Sequence, residues 1–227
     1  MRVAGVDGWR GGWVAVILDD GQWAAAAAAA QLADLAAAVP DAAVIGVDMP
    51  VGLVTRGWRQ ADDLAAARLG PHRSRVFRVP PRRAWEAATH REAVAACRTL
   101  TDPPAGFSVQ AWSLKDKIRQ AGEVRAERPG LLHEVHPELS FAALNGGAVV
   151  GPSKKTWNGQ MIRRALLARA GIRLPDDLGA AGVVPADDLL DAAAVAWTAA
   201  RIARGQAVSF PDPPQPDDAG HPIANWT

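Results

Sequence analysis

Acidic residues stand at the ends of apolar segments, or inside them, at four separate places in the chain. This pattern restricts the fold more than any other feature. Val3-Ala4-Gly5-Val6 runs into Asp7, and Ala43–Val47 runs into Asp48. Glu134 lies within Leu131–Val135, and Asp191 lies among Leu189, Leu190, Ala192 and Ala193. An ionised carboxylate beside buried apolar surface is costly unless it is paired or coordinates a cation. Four such positions ask for a shared explanation. Strand ends that converge at the carboxyl edge of a sheet, where α/β proteins place their ligands, supply one.

The segments between these acids read as an α/β chain. Val3–Asp7 and Trp13–Leu18 are strands joined by the turn Gly8–Gly12, and Asp19-Asp20-Gly21 closes a second turn, giving a β-meander. Gln22–Ala30 is open between a third strand and a helix, because its alanines favour helix by propensity. A helix follows over Gln31–Val39, then a compact strand over Ala43–Asp48 stopped by Met49-Pro50. Arg59–Leu69, Ala84–Cys97 and Val109–Ala121 read as helices, with Gly70–Arg83 as a loop, and Leu131–Val135 as a strand ended by His136-Pro137. Gly159–Ala170 is a helix with Gly171 at its C′ position, and Asp188–Arg204 is the last long helix, stopped by Gly205. The order predicts one domain over residues 1–227: a mixed sheet flanked by helices, with a helical insertion at about 55–125 after the central strand. A Pro- and Asp-rich tail at about 206–227 is expected over the surface.

Composition excludes several classes. A hydrophobic share of 49% and a charged share of 22% are those of a soluble globular protein. No apolar run reaches the roughly 20 residues of a spanning helix. The N-terminus enters a strand pattern rather than a signal-peptide layout, so no membrane association and a cytoplasmic location are expected. The lone Cys97 excludes a disulfide framework and a cysteine zinc site. A net charge of +1 does not announce a polyanion partner. Locally, however, Arg68, Arg73, Arg75, Arg78, Arg82, Arg83, Arg91 and Arg98 face only Glu86 and Glu92, a basic belt that is either a solvated surface or a phosphate-facing one.

The chemistry that needs clustered carboxylates is metal-assisted phosphoryl transfer. Mg²⁺ or Mn²⁺ takes oxygen ligands, and two such ions about 3.5–4 Å apart can activate water and stabilise a leaving oxygen. Asp7, Asp48, Glu134 and Asp191 are the candidate ligands and catalytic residues. Asp188 shares a helix face with Asp191 at i, i+3 and is a possible extra ligand, whereas Asp187 reads as the helix N-cap. His133-Glu134-Val135-His136 fails as a zinc-protease motif because Pro137 forbids the helix it needs. In a strand His136 shares a side with Glu134, either as a proton shuttle or as a structural histidine. The glycines of Gly8–Gly12 match no dinucleotide or phosphate-loop pattern. Lysine occurs only as Lys115, Lys117, Lys154 and Lys155. Ser153-Lys154-Lys155-Thr156 precedes a helix, a good place for phosphate. Trp112 and Trp157 either stack on a base or pack in the core.

Several phrases resemble the DUF429 family. They are Gly5-Val6-Asp7-Gly8 with Gly11-Gly12-Trp13, Val47-Asp48-Met49-Pro50-Val51-Gly52-Leu53, Gln110-Ala111-Trp112, Glu134-Val135-His136-Pro137-Glu138, Lys154-Lys155-Thr156 and Asp188-Leu189-Leu190-Asp191-Ala192. They occur in the family's order, over roughly residues 3 to 205. Those proteins are described as predicted nucleases of ribonuclease H-like fold. The resemblance implies Asp7 on the first strand, Asp48 on a central strand and Asp191 on the last helix, with Glu134 beside them. One departure is Gln120-Ala121-Gly122, where the family usually shows an acidic run.

Together these readings give a metal-dependent nuclease. Lys154, Lys155, Arg68, Arg73 and Arg75 would hold the nucleic-acid backbone, without sequence preference. The rivals are a non-catalytic nucleic-acid or protein-binding module on the same scaffold and a metal-dependent hydrolase of a small phosphorylated substrate.

Overall fold

A computed structural model describes residues 1–227. The chain opens with three antiparallel strands, β1 (Arg2–Trp9), β2 (Gly12–Asp19) and β3 (Gln22–Ala29). The turn between β2 and β3 is Asp20-Gly21, both with positive φ (52° and 86°), as the right-handed twist of a two-residue hairpin favours. The segment left open between helix and strand is therefore a strand. Its alanines pair with β2 along almost its whole length, and that pairing overrides their helix propensity.

Helix α1 (Leu32–Ala38) returns the chain to β4 (Val44–Val47), which pairs parallel with β1 on the side away from β2. The insertion follows as α2 (Gln60–Leu69), α3 (Arg82–Glu86), α4 (His90–Leu100), α5 (Val109–Trp112) and α6 (Lys115–Glu127). Strand β5 (Leu132–Glu134) then adds parallel to β4, completing the order β3-β2-β1-β4-β5. After it come α7 (Pro137–Leu144), α8 (Trp157–Arg169), α9 (Ala186–Ala203) and a ribbon of β6 (Ser209–Pro216) and β7 (Pro222–Trp226). The result is a mixed sheet flanked by helices.

Side chains alternate between the two faces of a strand, so each face has its own core. On one face Val3, Val14, Val16 and Val44 pack against Leu189, Ala192, Ala193 and Ala196 of α9. On the other, Ala4, Val6, Ile45 and Val47 pack against Leu32 and Leu35 of α1 and Ile118 and Ala121 of α6. Gly5 sets the closeness of α9. A Cβ there would lie 1.9 Å from the Ala196 nitrogen and 2.3 Å from the Ala192 oxygen, so helix and strand backbones touch. Gly46 does the same on β4, where a Cβ would meet Val195 at 2.8 Å.

Several boundaries differ from the sequence reading. The helix expected over Ala84–Cys97 is two, broken where Thr89 and Glu92 form a capping box that starts α4. The helix expected over Val109–Ala121 is likewise two, α5 and α6. Helix α7 begins at Pro137, which fits a first helical position, whereas the sequence pattern marks His136-Pro137 only as the end of a strand. Part of the tail is not on the surface. Ile223, Ala224 and Asn225 are buried, and Trp226 bridges to Val135 beside β5. No helix is long and apolar enough to cross a membrane.

Candidate metal centre

Strand parity brings Asp7 and Asp48 together. Gly5 and Asp7 on β1, and Gly46 and Asp48 on and just after β4, all fall on the α9 face. The backbone N–H of Asp48 donates to the Val6 carbonyl at 2.9 Å, which holds the two strand ends in register. Because Ala192 is seated on Gly5, the residue before it, Asp191, arrives beside Asp7. One oxygen from each of Asp7, Asp48 and Asp191 lies within 4.8 Å of the others. Asp7 and Asp191 are buried and Asp48 is half-buried. This cluster can coordinate a divalent cation.

The cluster is short of protein partners. Asp7 Oδ1 accepts the Gly8 N–H at 2.6 Å, and Asp191 Oδ2 accepts from the Lys154 ammonium. Asp191 Oδ1 is buried with no partner at all. Such an oxygen is a costly thing to leave bare and a natural donor to a hard cation. Burial, and then the charges of Asp48 and Asp191, hold the Asp7 carboxyl well above the usual carboxylate range. Burial raises Asp48 and Asp191 to about 7, with Lys154 opposing the rise at each. Carboxylates this reluctant to ionise together are eased by a dication among them.

Asp188 is half-buried at the lip of the same cavity, and burial followed by the charge of Asp187 raises its pKa. Asp187 is not the N-cap. Helix α9 starts at Ala186 after Pro185, and Asp187 is buried in the first turn, 2.5 Å from the Lys155 ammonium.

Glu134 does not join the cluster. It pairs in register with Val47, whose side chain belongs to the α1 and α6 face, so parity sends Glu134 to the opposite side of the sheet from Asp48. There the fully buried Arg59 guanidinium donates to both of its oxygens and to Asp62, and the Val51 N–H donates to it at 2.7 Å. Asp62 Oδ2 accepts the Val79 N–H at 2.8 Å, so both of its oxygens are also satisfied. Glu134 thus ties β5 to the segment after β4, and it lines the same cavity as the three aspartates without belonging to their group.

A cavity of about 580 Å³ opens over the three aspartates. Arg75, Lys154 and Lys155 line it, whereas Arg68 and Arg73 do not. Arg68 is exposed beside a separate small pocket with Leu139 and Phe210, and Arg73 is exposed on the turn after α2. Arg75 is held by Glu138 at 2.9 Å and by the carbonyls of Val150 and Gly151, each at 3.2 Å. Trp112 packs face to face on Trp85 at 6.1 Å, while Trp157 is 73% exposed.

His136 caps α7. Its Nδ1 accepts the Glu138 N–H, its Nε2 faces the Arg75 carbonyl, and burial lowers its pKa. Both ring nitrogens are engaged, and the ring lines the cavity over the three aspartates.

Three groups make contacts that the sequence pattern does not assign. Arg163, fully buried on α8, clamps both oxygens of Glu138 at 2.8 and 3.0 Å. Lys117 donates to the Gly12 carbonyl, its ammonium lies 4.4 Å above the Trp13 ring, and its side chain fills the space at Gly8 beside Asp7. Burial lowers its pKa, opposed by the charges of Asp7 and Asp188. Gln120, where the resemblance fails, accepts from the Trp13 indole at 2.8 Å and the Leu32 N–H at 2.9 Å, tying α6 to the sheet. The even spacing of Lys115 and Lys117 was a visible signal for Lys117; Arg163 had none.

The family described as "Protein of unknown function (DUF429)" matches residues 5–216. Searches of the curated proteins and of the solved structures found no match.

Proposed function

The chain belongs to the DUF429 family, and we propose that it is a divalent-metal-dependent hydrolase of phosphodiester bonds, with Mg²⁺ or Mn²⁺ held by Asp7, Asp48 and Asp191. The observation that carries this reading is the convergence of those three carboxylates, one with a bare buried oxygen, at the floor of a cavity that Arg75, Lys154 and Lys155 also line. The donor set is all oxygen, which suits these hard ions. The strand order, three antiparallel strands followed by two parallel ones, supports a ribonuclease H-like sheet.

When bound there, a dication supplies Lewis-acid polarisation of the phosphoryl oxygen and a water of lowered pKa. The chain's own residues do the rest. Asp7, Asp48 and Asp191 fix the ion on rigid elements, two strand ends and a helix seated on glycine. Arg75 is held in place by Glu138 and by two carbonyls, and its position at the cavity wall suits it to orient a phosphate. Lys155 stands at the lip, where its exposed side chain meets an incoming anion.

Nucleic acid is one substrate class. A small phosphorylated molecule is the second, and one observation favours it: Arg68 and Arg73, expected along a backbone track, lie outside the cavity, and a volume of about 580 Å³ suits a compact ligand. A panel of junctions, hybrids, single strands and small phosphodiesters assayed with Mn²⁺ tests both. Turnover of any member that is lost in Asp7→Asn and Asp48→Asn supports the reading. Turnover that is indifferent to both substitutions, or absent across the panel, counts against it.

A further inference from the structure

The number of ions that fit this site can be read from its charges and from its free oxygens. Asp7, Asp48 and Asp191 bring three negative charges, and the Lys154 ammonium bonded to Asp191 Oδ2 offsets one of them. What remains matches a single dication. The oxygens say the same. A carboxylate shared between two ions offers one oxygen to each, and Asp191 cannot be that carboxylate, because only its Oδ1 is bare and Oδ2 is taken by Lys154.

The acids that a second ion would recruit are already engaged. Glu134 lines the same cavity, but Arg59 holds both of its oxygens. Glu138 is held on both by Arg163, with Arg75 added. Asp187 faces Lys155. Asp187 Oδ2 accepts no hydrogen bond despite that contact, and Asp188 is uncommitted. It is half-buried and lies among the charges of Lys154, Lys155 and Lys117.

We propose that the centre holds one dication, bound by Asp7, Asp48 and Asp191 Oδ1, and that the Lys154 ammonium stands in for a second ion as a fixed positive charge on Asp191 Oδ2. This rests on the reading of the aspartates as a dication site, and it departs from the two-ion route that the sequence pattern alone favours. Lys154 is a positioning residue for the ion, since its contact is with a ligand. The loop Ser153–Thr156 holds it there: the Thr156 N–H and hydroxyl both donate to the Ser153 carbonyl, which sets the turn before α8.

Titration of the metal-free full chain with Mn²⁺, followed by calorimetry and electron paramagnetic resonance, tests the stoichiometry without reference to turnover. Wild type and Lys154→Arg are expected to bind one Mn²⁺ per chain, with the spectrum of an isolated ion. Lys154→Met, which frees Asp191 Oδ2, is expected to bind two, with the broadening of a coupled pair. Two ions in wild type or in Lys154→Arg overturn the proposal, and so does a Lys154→Met protein that stops at one. Failure of every variant to bind Mn²⁺, with all of them folded by thermal unfolding, instead removes the dication site on which the proposal stands.

Discussion

Two groups of buried acids approach one cavity from opposite faces of the same sheet edge, and they are treated in opposite ways. On one face Glu134 and Asp62 surround a buried arginine, and all four of their oxygens accept hydrogen bonds. On the other, Asp7, Asp48 and Asp191 share one lysine, and a buried oxygen is left bare. Burial raises the carboxyls on both faces, so burial is not what separates them. Satisfaction is. A buried acid answered by guanidinium and backbone N–H groups is an anchor, whereas a buried acid answered by other acids is waiting for a cation.

The largest effect expected from this contrast is on the unsatisfied side. Asp7→Asn or Asp48→Asn should lower Mn²⁺-dependent hydrolysis by about 10³-fold, the equivalent of roughly 4 kcal/mol of lost transition-state stabilisation. The same substitutions remove a repelling charge, so the metal-free protein should melt no lower than wild type. A drop of several degrees in either variant would mean that these aspartates are anchors too.

On the satisfied side the order of effects reverses. Arg59→Met strands Glu134 and Asp62 in the core and should cost about 3–5 kcal/mol in urea unfolding. The variant that still folds should bind Mn²⁺ with nearly wild-type affinity. A large loss of affinity there would join the two clusters into one. Gly5→Ala comes next. The added methyl collides with the α9 backbone, and a loss of about 1–3 kcal/mol is the usual scale for overpacking. Because α9 carries Asp191, weaker Mn²⁺ binding should accompany the loss of stability, measured by calorimetry on the folded fraction.

The smallest effect is on pH dependence. Asp48 and Asp191 have folded pKa values of about 7 against 3.8 for the ordinary carboxyl. The folded state then holds protons that the unfolded state has released, so the metal-free protein loses stability as pH rises from about 4 through 7. A fall of a few degrees in melting temperature over that window is expected, and saturating Mn²⁺ should cancel it above about pH 7. A melting temperature that rises across the same window contradicts the sign.

The fold was legible where periodicity and punctuation agreed. The Asp20-Gly21 turn, the strand ending at Asp48 and the long helix through Asp191 could all be placed from residues alone. So could three of the four acids, because each sits on the same strand face or on the helix that covers it. Glu134 could not. It occupies a strand end much as Asp48 does, and only the register that opposes it to Val47 shows that its side chain leaves on the other side. Its partner Arg59 lies 75 residues earlier, a pairing no local pattern encodes. Arg163 and the burial of the last strand were hidden for the same reason, since both depend on contacts distant in sequence. Arginines clustered along the chain scatter in space, and of Arg68, Arg73 and Arg75 only Arg75 reaches the cavity.

Anomalous diffraction from a crystal of the protein grown with Mn²⁺ tests the central claim most directly. A peak about 2.0–2.3 Å from oxygens of Asp7, Asp48 and Asp191, with none at Glu134, is the result expected. A saturated crystal with no peak among the three aspartates, or with the ion lodged at Glu134 and Asp62, would contradict it.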